Sequence, residues 1–506
     1  MDKELKRLEK IDLRIQEIAA ELGLSVKAID FEIVPAERMF EIMAYRLPVN
    51  FRHWSRGRDY ERTRTIYEHS GSGLPYESVL NTDPPKAYLM ETNPFSIQVL
   101  VMAHVYGHVD FFIENQNFSA TPPDILVRSY EAVKRFAEYE QLHGISKMEP
   151  LIDAGLALEF NIDPDIHKKR ESRKQQIERL SEKQEHQTVT EDDFHHLFPR
   201  PKKQRPGRRD LMHQALLEPT RDILGYITEN SPKPLQDWEK DVLEVIATQG
   251  RYFYPQIRTK IINEGWASYC HEKIMRQLFK EKYLTAEEHG YYARYHSAVL
   301  QPHKFQINPY HLGKKIFEDI EMRWDKGRFG KEWKESGDVY EREHWDTKLG
   351  EGYKKILAVR KLYSDRMLIE HFLTDDLIHE LKLYIYQERQ GKDGKRYLVI
   401  VENRPEVIRH QLKSFHADMG IPRILIKNVD RKNGIINLIH KFEDAPLDQE
   451  YLKKTLEHVN FIWGRDVHLD TIDVEIDKSG KAKYREVTYR FNGYQHSSIS
   501  QELKST

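Results

Sequence analysis

The most informative segment of the chain is residues 93–118, NPFSIQVLVMAHVYGHVDFFIENQNF. Apolar residues lie on almost every side of it, which predicts one helix buried inside a protein core. Two histidines, His104 and His108, lie on this helix four residues apart. The spacing places both imidazoles on one face, one turn apart, where they could share a metal ion.

The histidine pair is weak evidence by itself. Chance alone supplies about one pair at this spacing among 24 histidines in 506 residues. The helix of a zinc hydrolase reads H-E-x-x-H, and its Glu is the general base. Val105 occupies that position in this chain. The pattern therefore leaves two alternatives open, a metal site and a structural pair of histidines.

A distant segment, residues 252–271 (YFYPQIRTKIINEGWASYCH), contains the third candidate ligand. In zinc hydrolases of the two-histidine-plus-glutamate kind, the third ligand is a Glu on a second helix, and Glu264 resembles it. Gly265 and Ala267 are small and would let this helix approach the first closely. We therefore predict that the two histidines and Glu264 converge on Zn²⁺ or a similar divalent ion.

The proton acceptor of such a site has to come from elsewhere, since Val105 cannot serve. The local candidates are His271 and Asp110. His271 lies seven residues after Glu264, two turns further on the same face of the helix. Asp110 lies two residues past His108, about 200° around the helix, which favours a structural or supporting role.

Composition limits the class of protein. The chain is 39% hydrophobic and 32% charged, with a formal net charge of −2, which indicates a soluble globular protein of two or three domains. Its single cysteine, Cys270, excludes intramolecular disulfides and thiolate zinc clusters and fits a reducing cytoplasm. We expect a cytoplasmic protein with no secretory signal and no membrane-spanning stretch. A nucleic-acid partner is disfavoured because no basic excess is present.

Patterns along the chain predict an α+β protein with four parts. Residues 1–30 contain an amphipathic helix, and residues 31–372 form a mainly helical core domain that carries the zincin-like two-helix site. Residues 373–492 alternate in a way typical of strands and hairpins, with two helices between them, which predicts a smaller α+β domain. Residues 493–506 are polar and are predicted to be disordered.

Two polar segments interrupt the core domain. Residues 50–78 mix arginines with aromatic residues and predict a loop-rich surface, which could contact phosphate, carbohydrate or nucleic acid, or simply be solvated. Residues 163–210 lack nearly all large apolar side chains, which predicts an exposed, partly flexible insert. Its basic run PKKQRPGRR is more typical of a solvated linker than of a nucleic-acid contact.

Five strings, in this order, resemble the SpoVR (stage V sporulation protein R) family: LPYESVLNT, AHVYGHVDFFIEN, YFYPQIRTKIINEGWASYCHEKIM, NPYHLGKKIFEDIEMRWDKGRFG and WGRDVHLDT. The resemblance extends over residues 31–471. It implies a role in building the endospore cortex, which is a peptidoglycan layer, and a link to a PrkA-type serine protein kinase. The histidines of the family pattern match His104 and His108, and its NEGWA segment matches residues 263–267.

Three functions stay open on these observations. The first is a metal-dependent hydrolase or amidase-like enzyme, and the resemblance implies a cell-wall precursor or a peptide as its substrate. A cytoplasmic location disfavours polymerised peptidoglycan. The second is a non-catalytic regulatory or scaffold protein of the PrkA-type kinase pathway, because Val105 in place of the catalytic Glu is typical of a former enzyme. Nucleic-acid binding is a third and weaker alternative.

Overall fold

The computed structural model describes residues 2–46, 51, 53–70, 77–163, 175, 178, 220–301, 306–390, 394–430, 432–476 and 482–502. The insert predicted at residues 163–210 lies almost entirely outside these ranges, together with its basic run. Within them the protein is α+β, as predicted. The chain divides into two compact units, the first formed by Met1–Glu138 and Tyr252–Ile421 and the second by Tyr139–Arg251 and Pro422–Thr506.

The helices and strands of the described residues are as follows. The helices are α1 (Asp2–Glu21), α2 (Ala36–Tyr45), α3 (Trp54–Ser70), α4 (Phe95–Glu114), α5 (Ile125–His143), α6 (Ile145–Ala157), α7 (Ile223–Asn230), α8 (Asp237–Arg258), α9 (Lys260–Lys280), α10 (Ala286–Val299), α11 (Pro309–Lys326), α12 (Gly330–Glu335), α13 (Val339–His344), α14 (Gly352–Leu362), α15 (Asp365–Phe372), α16 (Asp375–Glu380), α17 (Pro405–Phe415) and α18 (Gln449–Trp463). The strands are β1 (Asp30–Val34), β2 (Glu77–Leu80), β3 (Lys86–Met90), β4 (Ile385–Gln390), β5 (Arg396–Glu402), β6 (Ile424–Asp430), β7 (Ile435–His440), β8 (Val467–Ile476), β9 (Ala482–Phe491) and β10 (His496–Glu502).

The units differ from the predicted domains. The predicted boundary near residue 373 falls inside the first unit, which continues to Ile421. Ile408 and Leu412 of α17 show why, since both are buried in the same hydrophobic cluster as α4. Alternation along a sequence indicates strands, but it carries no information about which core a neighbouring helix joins.

Helix α1 is the amphipathic helix predicted within residues 1–30. Its apolar residues Leu8, Ile11, Ile15 and Ile18 recur every three or four positions and are all buried. They pack in the same hydrophobic cluster as α4. The helix is therefore a part of the first unit's core.

Helix α4 is the predicted central helix, and every residue from Ser96 to Phe112 on it is buried. Contrary to expectation, it is long and apolar enough to span a membrane by length and composition, and it alone passes that test in the described part of the chain. Because 94% of its apolar window is buried inside the protein, these properties are those of a core helix.

Helix α9 is held close to two neighbours through small residues. A Cβ on Gly107 of α4 would lie 2.7 Å from the Cα of Ala267 on α9. A Cβ on Gly265 of α9 would lie 2.3 Å from the carbonyl carbon of Gly313 on α11. Ala267 therefore faces α4, as predicted, whereas Gly265 faces α11. These contacts fix α9 between the two helices and so determine where Glu264 lies.

A three-stranded sheet lies beside α4 in the first unit. Its strand order is β1-β3-β2, with β1 parallel and β2 antiparallel to β3. Strand β2 begins at Glu77, which pairs with Leu89 of the central strand. The sheet matters for function because β2 contacts α4 and brings the Glu77 carboxylate near the histidines.

Helix α3 corrects the prediction of a loop-rich surface at residues 50–78. Tyr60 and Tyr67, two turns apart, both pack edge-on against Phe40 of α2, with ring centroids 6.0 and 5.5 Å away. The rest of α3 is largely polar. The helix therefore depends on this contact with α2 more than on an apolar stripe, and the sequence pattern could not reveal it.

The second unit contains a five-stranded sheet with the order β10-β9-β8-β7-β6. Neighbouring strands are antiparallel except β7 and β8, which are parallel and joined through α18. The predicted hairpins β6–β7 and β8–β9 are confirmed. The prediction of a disordered tail is wrong for His496–Glu502, which pairs with β9 as an edge strand. Backbone hydrogen bonds hold such a strand, and its polar side chains carry no apolar alternation to predict it.

Candidate metal centre

The two ligand histidines predicted on α4 and Glu264 on α9 lie together in the first unit. Oε2 of Glu264 is 3.3 Å from Nε2 of His104 and 3.5 Å from Nε2 of His108. Ligand atoms about 2.0–2.1 Å from a tetrahedral ion are about 3.3–3.4 Å from one another. Both distances from Glu264 therefore match the spacing between neighbouring ligand atoms of a zinc-like ion.

Two neighbours hold the Glu264 carboxylate in this orientation. The ammonium of Lys260, one turn earlier on α9, lies 2.5 Å from Oε1, and the Tyr310 hydroxyl is hydrogen-bonded to the same carboxylate. Burial alone would raise the pKa of Glu264, but Lys260 and His108 lower that pKa well below its usual value. Glu264 is thus ionised, and its second oxygen faces the histidines.

The Nδ1 atoms of both histidines have partners of their own. Nδ1 of His108 lies 2.9 Å from the Oδ1 atom of Asn263, a carbonyl oxygen to which it can only donate. Nε2 of His108 faces the Glu264 carboxylate, to which it donates when the ring is protonated, and it is free to bind an ion when the ring is neutral. Nδ1 of His104 lies 2.8 Å from Nδ1 of His271. Metal-ligating histidines commonly donate their second ring nitrogen in this way, which fixes tautomer and ring orientation.

A chain of imidazoles continues from His104 to the carboxylate of Glu272. Nε2 of His271 lies 2.8 Å from Nδ1 of His296, and Nε2 of His296 lies 3.8 Å from Glu272. Without an ion, Nε2 of His104 can donate to the ionised Glu264 carboxylate 3.3 Å away; donation along the chain from His104 to His271 to His296 would instead leave Nε2 as a lone pair for an ion. Both nitrogens of His271, a predicted catalytic residue, are then engaged. Burial lowers the pKa of His271 well below its usual value and keeps it neutral.

Glu77 is a further acidic group at this centre, and the sequence reasoning missed it. Its Oε1 lies 3.9 Å from Nε2 of His104, and Glu77, His104 and His108 offer ligand atoms within 4.8 Å of one another. Burial raises the pKa of Glu77 to about 7, and the nearby Glu264 carboxylate adds to the increase. Glu77 lies in LPYESVLNT, one of the strings that carry the family resemblance, which was the available signal.

The two histidines differ in protonation. Burial, together with the nearby His108, lowers the pKa of His104 to about 4. Burial also disfavours the charged form of His108, but the Glu264 carboxylate outweighs this and leaves the pKa of His108 raised. His104 is therefore neutral near pH 7 without any ion, whereas the Glu264 carboxylate stabilises the protonated form of His108.

Asp110, the other predicted catalytic residue, lies in a different cluster of contacts. It is fully buried, forms an ion pair with Arg360 of α14, and accepts hydrogen bonds of 2.7 Å from the Ser25 amide and from Nε1 of Trp266. All of its described partners connect α4 to other parts of the core. This placement gives Asp110 a structural contact and does not support a role as proton acceptor.

The group is enclosed within the first unit. The side chains of His104, His108 and Glu264 are only 7%, 8% and 7% exposed, and that of Glu77 is 15% exposed. Two carboxylates and two imidazoles are thus removed from water in one place. Such a concentration of buried polar groups is costly unless the groups are paired or coordinate an ion. The donor set of nitrogen and carboxylate oxygen fits a divalent ion such as Zn²⁺.

Sequence comparisons identify relatives over nearly the whole chain. The family described as "SpoVR like protein" matches residues 2–420, and the one described as "SpoVR-like C-terminal domain" matches residues 422–474. The change between them coincides with the end of the first unit at Ile421. A protein of Escherichia coli (strain K12), "Uncharacterized protein YcgB", is 28% identical over an alignment of 476 residues, and the alignment covers 90% of this chain and 90% of that protein. No solved structure matches the chain.

Proposed function

This chain belongs to the SpoVR family, and we propose that it is a metal-dependent hydrolase. In this proposal His104, His108 and Glu264 hold a divalent ion, and Glu77 accepts the proton of the attacking water. The observation that supports it best is the position of one oxygen atom. Oε2 of Glu264 lies 3.3 and 3.5 Å from the two histidine Nε2 atoms, which is close to the spacing of neighbouring ligand atoms around a tetrahedral ion.

Glu77 replaces the general base that Val105 cannot supply. When bound, a divalent ion in such a site supplies Lewis acidity, which polarises a carbonyl group and makes water more acidic. A carboxylate whose pKa is about 7 can take a proton from water and return it to a leaving group near neutral pH. Glu77 lies on strand β2, whereas the base of H-E-x-x-H enzymes lies on the same helix as the two histidines.

The surrounding side chains position the ligands in this proposal. Asn263 and His271 orient the two imidazoles through their Nδ1 atoms. Lys260 pairs with Oε1 of Glu264, and Tyr310 is hydrogen-bonded to the same carboxylate, so that Oε2 stays directed at the histidines. His271 is therefore assigned a positioning role in place of the predicted catalytic one.

The substrate class and the partners follow from the family and not from the site. The sporulation role implied by the resemblance points to an amide bond in a cell-wall precursor or a peptide. A PrkA-type kinase pathway is the corresponding candidate for partners. Both belong to the proposal, and neither is needed for the metal assignment.

A second candidate function is a regulatory or scaffold protein with a structural metal site. The enclosure of the four side chains favours it, since structural zinc sites use four protein ligands and leave no open position. In that case Glu77 would be the fourth ligand and no proton acceptor would exist. The two candidates thus differ in the role of a single carboxylate.

Metal analysis of the purified full chain tests the proposal. After loading with Zn²⁺ and dialysis, we expect about one ion per chain in the wild type and less than a tenth of that in His104→Ala and Glu264→Gln. The matched control is His440→Ala, which removes another buried histidine, bonded to Thr471 in the second unit. Folded wild-type protein without stoichiometric metal would overturn the assignment.

Glu77→Gln separates the two candidates. A hydrolase whose base is Glu77 retains its ion in this variant, because all three ligands remain. Loss of the ion from Glu77→Gln, in protein whose circular dichroism matches the wild type, would make Glu77 a ligand and would favour the structural site.

A further inference from the structure

The hairpin β4–β5 in the first unit exposes apolar side chains on both of its faces. Strand β5 reads RYLVIVE, and its five central residues are all exposed, Val399 by 37% and Ile400 by 48%. In the described part of the chain, β4 and β5 form a sheet of two strands with no third strand beside them. An isolated two-stranded ribbon is marginally stable in water. A further strand beside β5 would therefore stabilise this hairpin.

The two edges of the hairpin differ in chemistry. Strand β4 ends in Gln387, Glu388, Arg389 and Gln390, and charged or polar residues of this kind discourage pairing with another chain. Strand β10, an edge strand of the second unit's sheet, is similarly polar (HSSISQE). Strand β5 has no charge between Arg396 and Glu402. Its free edge therefore lacks the protection that the other two strands have.

The sequence of β5 is complementary to itself in an antiparallel arrangement. Within one copy, Arg396 pairs with Glu388 and Glu402 pairs with Arg404. With Val399 on a two-fold axis, each Arg396 also faces Glu402 of the second copy, and each Leu398 faces Ile400. Tyr397 then faces Val401, which completes an apolar row on the opposite face. Opposite charges and apolar groups directly across from each other stabilise antiparallel strands. In this arrangement apolar residues face apolar residues at the centre of the strand, and opposite charges face each other at both ends.

We propose that two copies of this chain associate through β5, which pairs antiparallel with β5 of the second copy around Val399. The two hairpins then form a continuous four-stranded sheet. The interface is isologous, since the same strand is used by both copies. It lies on the hairpin and involves none of the metal ligands.

Mass measurement on the full chain tests this association. Light scattering after size exclusion should give twice the chain mass of 60.2 kDa for the wild type at micromolar concentration. Val399→Lys would set two ammonium groups against each other on the axis, and we expect a monomer. The matched control is Gln387→Lys, because Gln387 pairs with Val399 inside the hairpin but lies on the other strand, and it should remain dimeric.

A charge exchange tests the register and the identity of the occupant. Arg396→Glu places two like charges at each end of the pairing and should raise the dimer dissociation constant at least tenfold. The double variant Arg396→Glu/Glu402→Arg restores opposite charges only if β5 faces another β5. Recovery of the dimer supports a second copy, whereas no recovery overturns this register.

Cross-linking gives an independent reading. The single natural cysteine, Cys270, is buried, so Val399→Cys introduces one exposed thiol. Opposed residues on antiparallel strands have Cα atoms about 4.5–5.5 Å apart, which suits a disulfide. Oxidation should convert Val399→Cys to a covalent dimer and leave Gln387→Cys monomeric on a non-reducing gel. A wild-type monomer at all concentrations, or a dimer that survives Val399→Lys, would overturn the proposal, and neither result bears on the metal content.

Discussion

Lys260 and Glu264 form an ion pair one helical turn apart, with Nζ 2.5 Å from Oε1, while Oε2 of the same carboxylate faces both histidines. The two oxygens of Glu264 thus have separate tasks. One is neutralised by a permanent cation from its own helix, and the other is presented to the site. This division keeps a buried carboxylate ionised whether or not an ion is present.

Replacing Lys260 should make the fold depend more strongly on metal. In Lys260→Met the buried Glu264 loses its cation, and we expect a loss of about 1 kcal/mol, modest because the Lys260 side chain is 45% exposed. Zn²⁺ should restore most of it by neutralising the same carboxylate. Thermal unfolding with a chelator measures the loss of stability, and thermal unfolding with Zn²⁺ measures its recovery. Lys331→Met, from an exposed pair with Glu335 at the same spacing, is the control, and an equal loss with and without Zn²⁺ would contradict the prediction.

Glu77 should titrate near pH 7 in metal-free protein. Its folded-state pKa is raised from 4.5 to about 7, so the carboxyl is neutral below that pH and charged above it. The raised pKa means that folding is favoured while the carboxyl is protonated, and this stability is lost as the pH rises from about 4.5 to 7. The loss amounts to about 3 kcal/mol.

Infrared difference spectra of wild type against Glu77→Gln measure this titration directly. The protonated carboxyl band present only in the wild type should fall to half its intensity near pH 7. The same comparison by denaturant unfolding should show wild-type stability declining with pH relative to Glu77→Gln. If the protonated band is already absent at pH 5, the site does not raise the pKa of Glu77.

Gly265→Ala should destabilise the first unit and displace Glu264. The new Cβ would lie 2.3 Å from the backbone of Gly313, and backbone atoms of a packed helix cannot move aside as a side chain can. We expect a loss of about 2–3 kcal/mol and weaker metal binding, read by thermal unfolding and metal content. Gly290→Ala, on α10 with nothing within 4 Å of its Cβ, should instead be neutral or stabilising by up to about 1 kcal/mol.

Arg360→Met should reduce stability without removing the metal site. It leaves Asp110 as a buried charge without its cation, and breaking such a pair costs about 3–5 kcal/mol. Chemical denaturation measures the loss, and Arg64→Met, from an exposed pair with Glu68, should cost less than about 1 kcal/mol. If folded Arg360→Met fails to bind Zn²⁺, the structural assignment of Asp110 is wrong.

Local patterns predicted much of the fold. The spacing of apolar residues gave α1 and α4, and alternation with turn residues gave the hairpins β4–β5, β6–β7 and β8–β9. These features depend on neighbours within a few residues, which a single sequence contains. Helix α3 and strand β10 were missed because α3 is held by tyrosines packed on α2 and β10 by backbone pairing with β9.

The sequence by itself determined that His104 and His108 share one face of a buried helix, and analogy with the third ligand of zinc hydrolases pointed to Glu264. Only the tertiary structure decided that Glu77 joins them, that His271 orients His104, and that Asp110 belongs with Arg360, 250 residues away. The physical reason is the range of each constraint. Helical geometry places residues three to seven positions apart, whereas the meeting of α4, α9 and β2 depends on close packing at glycines and on burial of the whole core.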